Sequence, residues 1–514
     1  MTDEQEFELL DIMLTAEEAY PCLEREFLSS ENEIVAGFRI FDPWTKLRSD
    51  AADQVGPYWF DLIVHTLNRG VKIDFTLTDF DPVVRMGEHR YAWQCFRALA
   101  AAGEASDNPD LLTVRVAMHP ARVGLLPRTL LWFRSVSEVN AQISRLKDAH
   151  QISDTELLHS TPKLPELAHK KGETLRAKMF PPPPLVPVTH HQKLAVFDAE
   201  RVFIGGLDVN DRRFDTKEHR QRSEQTWHDV QILAKGQAAD EARTHLLTIE
   251  DAVRGKKVPQ PKHLLRTISA KRQIALPYLS PQRVVDEIAQ AHIDAVNKSE
   301  QLIYLETQFF RDQRMADCLA ARAQAQPQLT AIIVLPAAPE EIAFNGEWGP
   351  DAKFGEHLQV KCLETIQSGF GDRLLLTSPV QNRSADDEEG RAKHFGAPII
   401  YVHAKVSIFD DTAAIVSSAN LNGRSLYWDT EAGLKMTNRR NIEKLRQRCY
   451  THWHGPAIGQ DFLGMDSACE TWAQRIAENA SLPPEQRRGF LLPYKMEPAR
   501  DEAQALPGVP SEMA

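Results

Sequence analysis

Read for the alternation of apolar and polar positions, the chain contains one short series of elements used twice. ENEIVAGFRIF (31–41) is strand-like, DPWTKLRSDAADQVGP (42–57) is a loop, YWFDLIVHTLNRG (58–70) has helical spacing and a glycine stop, and VKIDFTL (71–77) alternates as a strand. The same strand, helix, strand order returns as SEQLIYLETQFF (299–310), MADCLAARAQAQ (315–326) and LTAIIVL (329–335). Setting IVAGFRIF against LIYLETQF gives an offset of about 302 − 34 = 268 residues.

Two further apolar runs, LAVF (194–197) and VSIF (406–409), predict short buried strands. Each is framed by the same polar residues, giving HQKLAVFD (191–198) and HAKVSIFD (403–410), so that His191, Lys193 and Asp198 answer to His403, Lys405 and Asp410. Seven residues beyond each aspartate comes a small-residue pair and then a polar side chain, Gly205-Gly206-Leu207-Asp208 in one copy and Ser417-Ser418-Ala419-Asn420 in the other. With each residue type at a few per cent of an average composition, one His/Lys/Asp match arises at about one starting position in ten thousand. Two copies with matching followers are a duplication.

The histidines differ by 403 − 191 = 212 residues, so the first half carries about 268 − 212 = 56 more between the landmarks. The surplus is expected in 125–187, where SVSEVNAQISRLKDAH (135–150) reads as an exposed helix and KMFPPPPLVPV (178–188) cannot continue one. An insertion there shapes an active-site mouth or is a surface ornament. Residues 1–30 read as a helix or two broken at Pro21, QTWHDVQILAKG (225–236) as a strand and EARTHLLTIEDAV (241–253) as a helix. DAKFGEHLQVKCLETIQSG (351–369) reads as a helix, DRLLLTSP (372–379) as a strand, 380–396 as a mobile loop, and the tail after Tyr494 as extended or disordered. The expected organisation is a first half at 1–254, a linker at 255–290 beginning with the basic, proline-broken GKKVPQPK, and a second half with the tail at 291–514. The predicted fold class is α/β, with two halves related by a pseudo-twofold axis and each a mixed β-sheet flanked by helices. One histidine from each half implies a site at their interface, and a chain holding both copies can be active as a monomer.

Paired histidines and lysines suit phosphodiester transfer. A neutral imidazole can attack phosphorus, a protonated one opposite can donate to the departing alkoxide, and lysines stabilise charge on the equatorial oxygens. An isolated histidine before an apolar strand is commonly structural; the duplication is what favours chemistry. The chain resembles the phospholipase D superfamily, known for paired His-Lys-Asp motifs, from about residue 30 to about residue 440. HHQK (190–193) with GGLDVNDRRFD (205–215), IYLETQFF (303–310) and VSSANLNGRSLYWDTE (416–431) are similar to its phospholipase branch. Ser417 stands where Gly is usual and Asp208 where Asn is usual.

The resemblance implies the phospholipase D fold and hydrolysis of a phospholipid headgroup to phosphatidate through a phosphohistidine, with transfer to alcohols as a side reaction. By resemblance to the family's bacterial phospholipases, His191 is the nucleophile and His403 the acid. Lys193 and Lys405 flank the phosphate, and Asn420 donates to a phosphate oxygen with Asp208 less directly involved. Asp229 and Glu431, in similar places after the two motifs, are the expected acceptors that orient the imidazoles, while Asp198 and Asp410, at the far ends of the strands, are expected to be structural. No cofactor or metal is expected, because the lysines supply the positive charge. A cardiolipin synthase-like phosphatidyltransferase is the alternative, and a nuclease a weaker one.

Composition narrows this further. At 514 residues and 42% hydrophobic content the chain can fill two cores. The six cysteines, Cys22, Cys95, Cys318, Cys362, Cys449 and Cys469, form no CxxC pair, so neither a disulfide framework nor a thiolate metal site is indicated. The acidic start MTDEQEFELLDIMLTAEEAY lacks a secretory pattern, and no apolar run approaches the ~20 residues of a membrane span. A cytoplasmic or peripheral membrane location is expected, with leaderless export left open. The net charge of −12 opposes non-specific DNA binding, so the expected partner is a phospholipid at a membrane surface rather than nucleic acid.

Overall fold

The computed structural model describes residues 6–513 apart from 173, 345, 347 and 348. Seven strands make the first sheet: β1 (Leu9–Leu14), β2 (Glu33–Phe38), β3 (Lys72–Thr78), β4 (Leu112–Ala117), β5 (Leu194–Phe197), β6 (Arg201–Gly205) and β7 (Val230–Lys235), in the order β1-β7-β6-β5-β2-β3-β4. β2, β3 and β4 are parallel and the other neighbours antiparallel. The second sheet holds β8 (Leu264–Ala270), β9 (Gln282–Asp286), β10 (Leu302–Glu306), β11 (Thr330–Val334), β12 (Leu374–Pro379), β13 (Val406–Phe409), β14 (Ala413–Ser417), β15 (Glu431–Met436) and β16 (Leu491–Pro493). Its order is β9-β8-β15-β14-β13-β10-β11-β12-β16, and β10, β11 and β12 are its parallel set. The fold is therefore α/β with two mixed sheets.

The duplication is visible in the register. Ile34 of β2 lies opposite Phe197, and Ile303 of β10 opposite Phe409, giving offsets of 303 − 34 = 269 and 409 − 197 = 212. Successive residues of these strands serve different layers, as a period of two requires. Val35, Val196, Ile204 and Ile232 join Tyr304, Val334, Val406 and Leu434 in one core shared by both sheets. Ile34, Ala36 and Phe38 instead meet the helices Thr15–Ser29 and Trp59–Asn68, and Ile303 and Leu305 meet Glu287–Lys298 and Gln313–Ala325. Strands buried on both faces carry no polar alternation, which is why LAVF reads as an unbroken apolar run and VSIF as one interrupted only by Ser407.

Four expectations are corrected. The 255–290 stretch is not a linker throughout: β8 pairs antiparallel with β15 as β1 pairs with β7, so strand structure of the second sheet begins at Leu264. Pro21 does not break the first helix, which runs from Thr15 to Ser29 after β1. Residues 380–396 are anchored, for the buried Glu388 accepts hydrogen bonds from the main chain (2.9 Å) and hydroxyl (2.6 Å) of Ser223. The tail after Tyr494 follows directly on β16 and forms the helix Glu497–Glu502, and its Glu512 pairs with Arg283 and Arg314.

The surplus of the first half does lie in 125–187. Its long helix, Trp132–His150, is not wholly exposed; Val136, Val139, Ile143 and Leu146 form a buried stripe against Val83, Met86, Leu157, Leu164 and Leu175.

Candidate active site

The segments entering β5 and β13 carry the motif histidines, and each is laid against the chain of the opposite half. The main-chain N–H of His191 donates to the Thr430 carbonyl (2.8 Å), and that of His403 to the His228 carbonyl (2.8 Å). Because Glu431 follows Thr430 and Asp229 follows His228, each backbone contact delivers a carboxylate to the imidazole beside it. Nδ1 of His191 is 3.0 Å from Oε1 and 3.1 Å from Oε2 of Glu431, while Nδ1 of His403 is 2.6 Å from Oδ2 of Asp229. The acceptors cross between halves, and both Nε2 atoms are left for chemistry.

Lys193 and Lys405 are nearly inaccessible, and the ammonium of each donates to the carbonyl of its own motif histidine. Asp198 accepts from the main-chain N–H groups of Glu31 (3.0 Å), Asn32 (2.7 Å) and Glu33 (3.0 Å). Asp410 does the same for Glu300 (2.8 Å), Gln301 (2.9 Å) and Leu302 (2.8 Å). The third motif residue thus fastens the start of the neighbouring antiparallel strand, β2 or β10, at the end of its own strand remote from the motif histidine.

Asp208 and Asn420 are buried beyond the small-residue turns. Asp208 accepts from the main-chain N–H of Ile40 (2.9 Å) and faces Arg39 at 3.8 Å, whereas the amide of Asn420 donates to Gln308 Oε1 (3.1 Å). Arg39 and Gln308 are equivalent by the strand offset, 308 − 39 = 269. Asp where Asn is usual is therefore matched by a cation where the other half has an amide.

Arg39 and Gln308, at strand ends with no distinctive spacing, escaped the sequence reading. So did Trp227, whose ring lies 4.5 Å from that of His403, and Arg213, whose guanidinium lies 3.6 Å from the Trp227 ring centre. Both are quoted within GGLDVNDRRFD and TWHDV, but nothing in those strings marks them as neighbours. Ser418 was noted only as a small residue, and its hydroxyl donates to Glu431.

Burial dominates the electrostatics. It drives His191 and His403 well below the ordinary imidazole value, with Lys193 acting next on His191 and Lys405 next on His403. Burial also raises Glu431 to about 8 and Asp229 to about 6, opposed by Lys193 and Lys405 respectively, and pulls Lys405 down to about 7. Both halves act on each group: Lys405 lowers His191, and Lys193 and His191 lower His403. The result is one site holding neutral imidazoles with oriented Nδ1–H groups, a poise suited to nucleophilic attack by one of them.

Parts of the chain are similar to known proteins. A family model described as cardiolipin synthase, PLD-like domain, matches residues 292–453. Phospholipase D alpha 1 of Oryza sativa subsp. japonica is 22% identical over 354 residues, spanning 46% of this chain and 44% of its own length. Phospholipase D1 of Schizosaccharomyces pombe is 26% identical over 330 residues, 46% of this chain and 24% of its own. These matches support the phospholipase D superfamily, with a PLD-like domain over residues 292–453. Within that superfamily, a cardiolipin synthase of Listeria innocua is 21% identical over 268 residues, 50% of this chain and 46% of its own. The chain thus spans less than half the length of each of these relatives. The overall fold is shared over nearly the whole molecule with a phosphatidylserine synthase structure from Haemophilus influenzae Rd KW20, which superposes with a TM-score of 0.51 at 11% identity, covering 98% of this chain and 92% of that one.

Proposed function

We propose that this superfamily member is a phospholipase D-type phosphodiesterase that releases the headgroup of a phospholipid to leave phosphatidate. The observation that carries the reading is the crossed pair of carboxylate-held imidazoles with a lysine beside each. Nε2 of His191 attacks phosphorus, the bond from phosphorus to the headgroup oxygen breaks, and Nε2–H of His403 protonates that oxygen. His403 then takes a proton from water, whose oxygen displaces His191 and yields phosphatidate. Burial and the lysines hold His403 neutral in the free site; a phosphodiester anion between the lysines offsets their charge and favours the protonated acid. Lys193 and Lys405 stabilise the equatorial oxygens. An alcohol in place of water gives phosphatidyl transfer, the second reading, favoured by the cardiolipin synthase match.

A lipid surface is supported by the inserted segment. Leu125, Leu126, Leu130 and Phe133 are exposed, as are Met179 and Phe180, and the Trp132 ring packs on Phe180 at 4.4 Å. Main-chain hydrogen bonds from Gly124 to Tyr278 (2.8 Å) and from Leu126 to Leu276 (3.0 Å) bring the exposed Ile274, Leu276 and Tyr278 alongside. No acidic residue occurs from 111 to 137 or from 252 to 285, stretches that carry Arg128, Arg134, Lys271 and Arg272, in a chain of net charge −12, although Arg134 faces the exposed Asp351 at 3.8 Å. Apolar residues in locally cationic segments suit an anionic bilayer. Among the described residues, no helix is long and apolar enough to cross a membrane.

Incubation with mixed phospholipid vesicles and, separately, with plasmid DNA in chelator tests the proposal. Released headgroup with intact plasmid is expected; nicked plasmid with untouched lipid overturns it.

A further inference from the structure

Directly behind the site lies a second histidine cluster that the proposed chemistry does not use. His219, on a left-handed turn (φ 49°), His228, just before β7, and His452, in the helix Arg439–His454, are all buried. One ring nitrogen of each lies within 4.8 Å of those of the other two. The outer nitrogens of two of the rings are fixed by carboxylates. Nδ1 of His219 is 2.6 Å from Asp215 Oδ2, so its Nε2 presents a lone pair, 3.1 Å from Nε2 of His452. Nε2 of His228 is 2.8 Å from Glu306 Oε2, and its Nδ1 has no hydrogen-bond partner although the ring is fully buried.

The carboxylates are themselves held. Asp215 accepts from the main chain of Trp227 (2.7 Å) and the Gln221 amide (3.0 Å), and Glu306 from the Tyr304 hydroxyl (2.5 Å) and the Trp453 indole (3.0 Å). Neutral histidines bonded among themselves explain the His219–His452 contact. They leave the buried lone pair of His228 unused, an arrangement folded proteins rarely retain. A divalent cation would take lone pairs from all three rings, and the charges of Asp215 and Glu306 would balance its own. Outer nitrogens held by carboxylates are the usual surroundings of metal-bound histidine.

We infer that His219, His228 and His452 form a structural zinc site. Three imidazoles suit this ion, whose bonds to nitrogen are about 2.0–2.1 Å, and the His228 and His452 rings, stacked with centroids 4.7 Å apart and planes at 21°, would turn as well as close in to direct both lone pairs at it. The site draws on both halves but is not repeated by the duplication: His228 bridges to Val402 as Thr430 bridges to His190, so the position equivalent to His228 carries a hydroxyl. Its place gives it a purpose. The His228 carbonyl accepts from the main chain of His403 and Ala404 (3.1 Å), and Asp229 follows, so zinc would tie the helix Arg439–His454 to the strand end that aims His403.

The test uses the untagged full chain, equilibrated with zinc and passed through gel filtration. About one zinc per chain is expected by atomic emission, and cobalt substitution should give the intense visible bands of a four-coordinate site. His219→Gln and His452→Gln should abolish both signals, and Asp215→Asn should weaken zinc affinity about 10–100-fold against a chromophoric chelator. His292→Gln, at a buried histidine bonded to Ser407 elsewhere, should keep the metal. A wild-type chain without zinc overturns the site, as does a full equivalent retained by folded His219 and His452 variants. Should those variants fail to fold, a weak six-coordinate cobalt spectrum of the wild type overturns it equally.

Discussion

The carboxylate of Asp229, from the first sheet, lies 2.6 Å from Nδ1 of His403, from the second. Its counterpart runs the other way, from Glu431 to His191. If these acceptors set the tautomer and aim of the imidazoles, Asp229→Asn and Glu431→Gln should each lower kcat by about 10²–10⁴-fold while leaving far-ultraviolet circular dichroism unchanged. Wild-type turnover in either variant would remove that carboxylate from the mechanism.

Gly206 is required by the same contact. A Cβ there would stand 2.4 Å from Asp229 Oδ1, whereas the other half places Ser418 against the longer Glu431 and uses its hydroxyl as a donor. Gly206→Ala should displace Asp229, lowering kcat more than it changes KM and destabilising the fold by about 1–3 kcal/mol. Thermal unfolding and steady-state kinetics read the two effects separately.

If Lys405 stabilises the phosphate as proposed, the rate should be sensitive to pH. Burial brings the lysine to about 7, so its charge is present below that value and lost above it. kcat/KM should therefore fall as pH rises through about 7, and Lys405→Arg, charged at every pH tested, should move that limb upward even with a lower maximum. For stability the sign is opposite. The unfolded chain holds more protons on this residue between about 7 and 10.5, so its contribution to stability grows as pH rises across that window. A pH profile of Lys405→Arg identical in shape to wild type would exclude this lysine as the titrating group.

The apolar surface predicts a separation of binding from chemistry. Leu130→Glu and Phe133→Glu should each weaken association with anionic vesicles by about tenfold or more, since burying such a side chain contributes ~1.5–3 kcal/mol. Hydrolysis of a soluble short-chain substrate should be unaltered. Equal vesicle binding by the double variant in a sedimentation assay would move the membrane contact elsewhere.

A covalent intermediate should partition between acceptors. With a short primary alcohol present, phosphatidyl alcohol should form alongside phosphatidate, and His403→Ala should permit slow labelling of His191 by a substrate whose activated leaving group needs no proton. Label found on His403 in a His191 variant, and never on His191, would reverse the two roles.

Much of this could be read from the chain because duplication leaves two samples of each constraint. The offsets of about 268 and 212 are the observed 269 and 212, and Asp229 and Glu431 were picked out by matching position alone. What escaped is what one strand cannot carry. β8 lies in a stretch whose basic, proline-containing start resembles a linker, and only its pairing with β15 shows its place. That Asp229 serves His403 rather than its own half's His191 is a fact of packing between sheets. Arg39, Trp227 and Arg213 likewise become neighbours of the site only when distant segments close on one another.

The crossed carboxylates also bear on biosynthesis. During synthesis the first sheet is complete long before Glu431 has been made, so His191 emerges without the group that orients it, and Asp229 waits for a histidine not yet translated. Neither sheet alone holds a motif imidazole with its carboxylate partner. On the proposed function a partly made or half-unfolded chain is inert toward the phosphodiesters around it, and the onset of turnover would report the moment the two sheets dock.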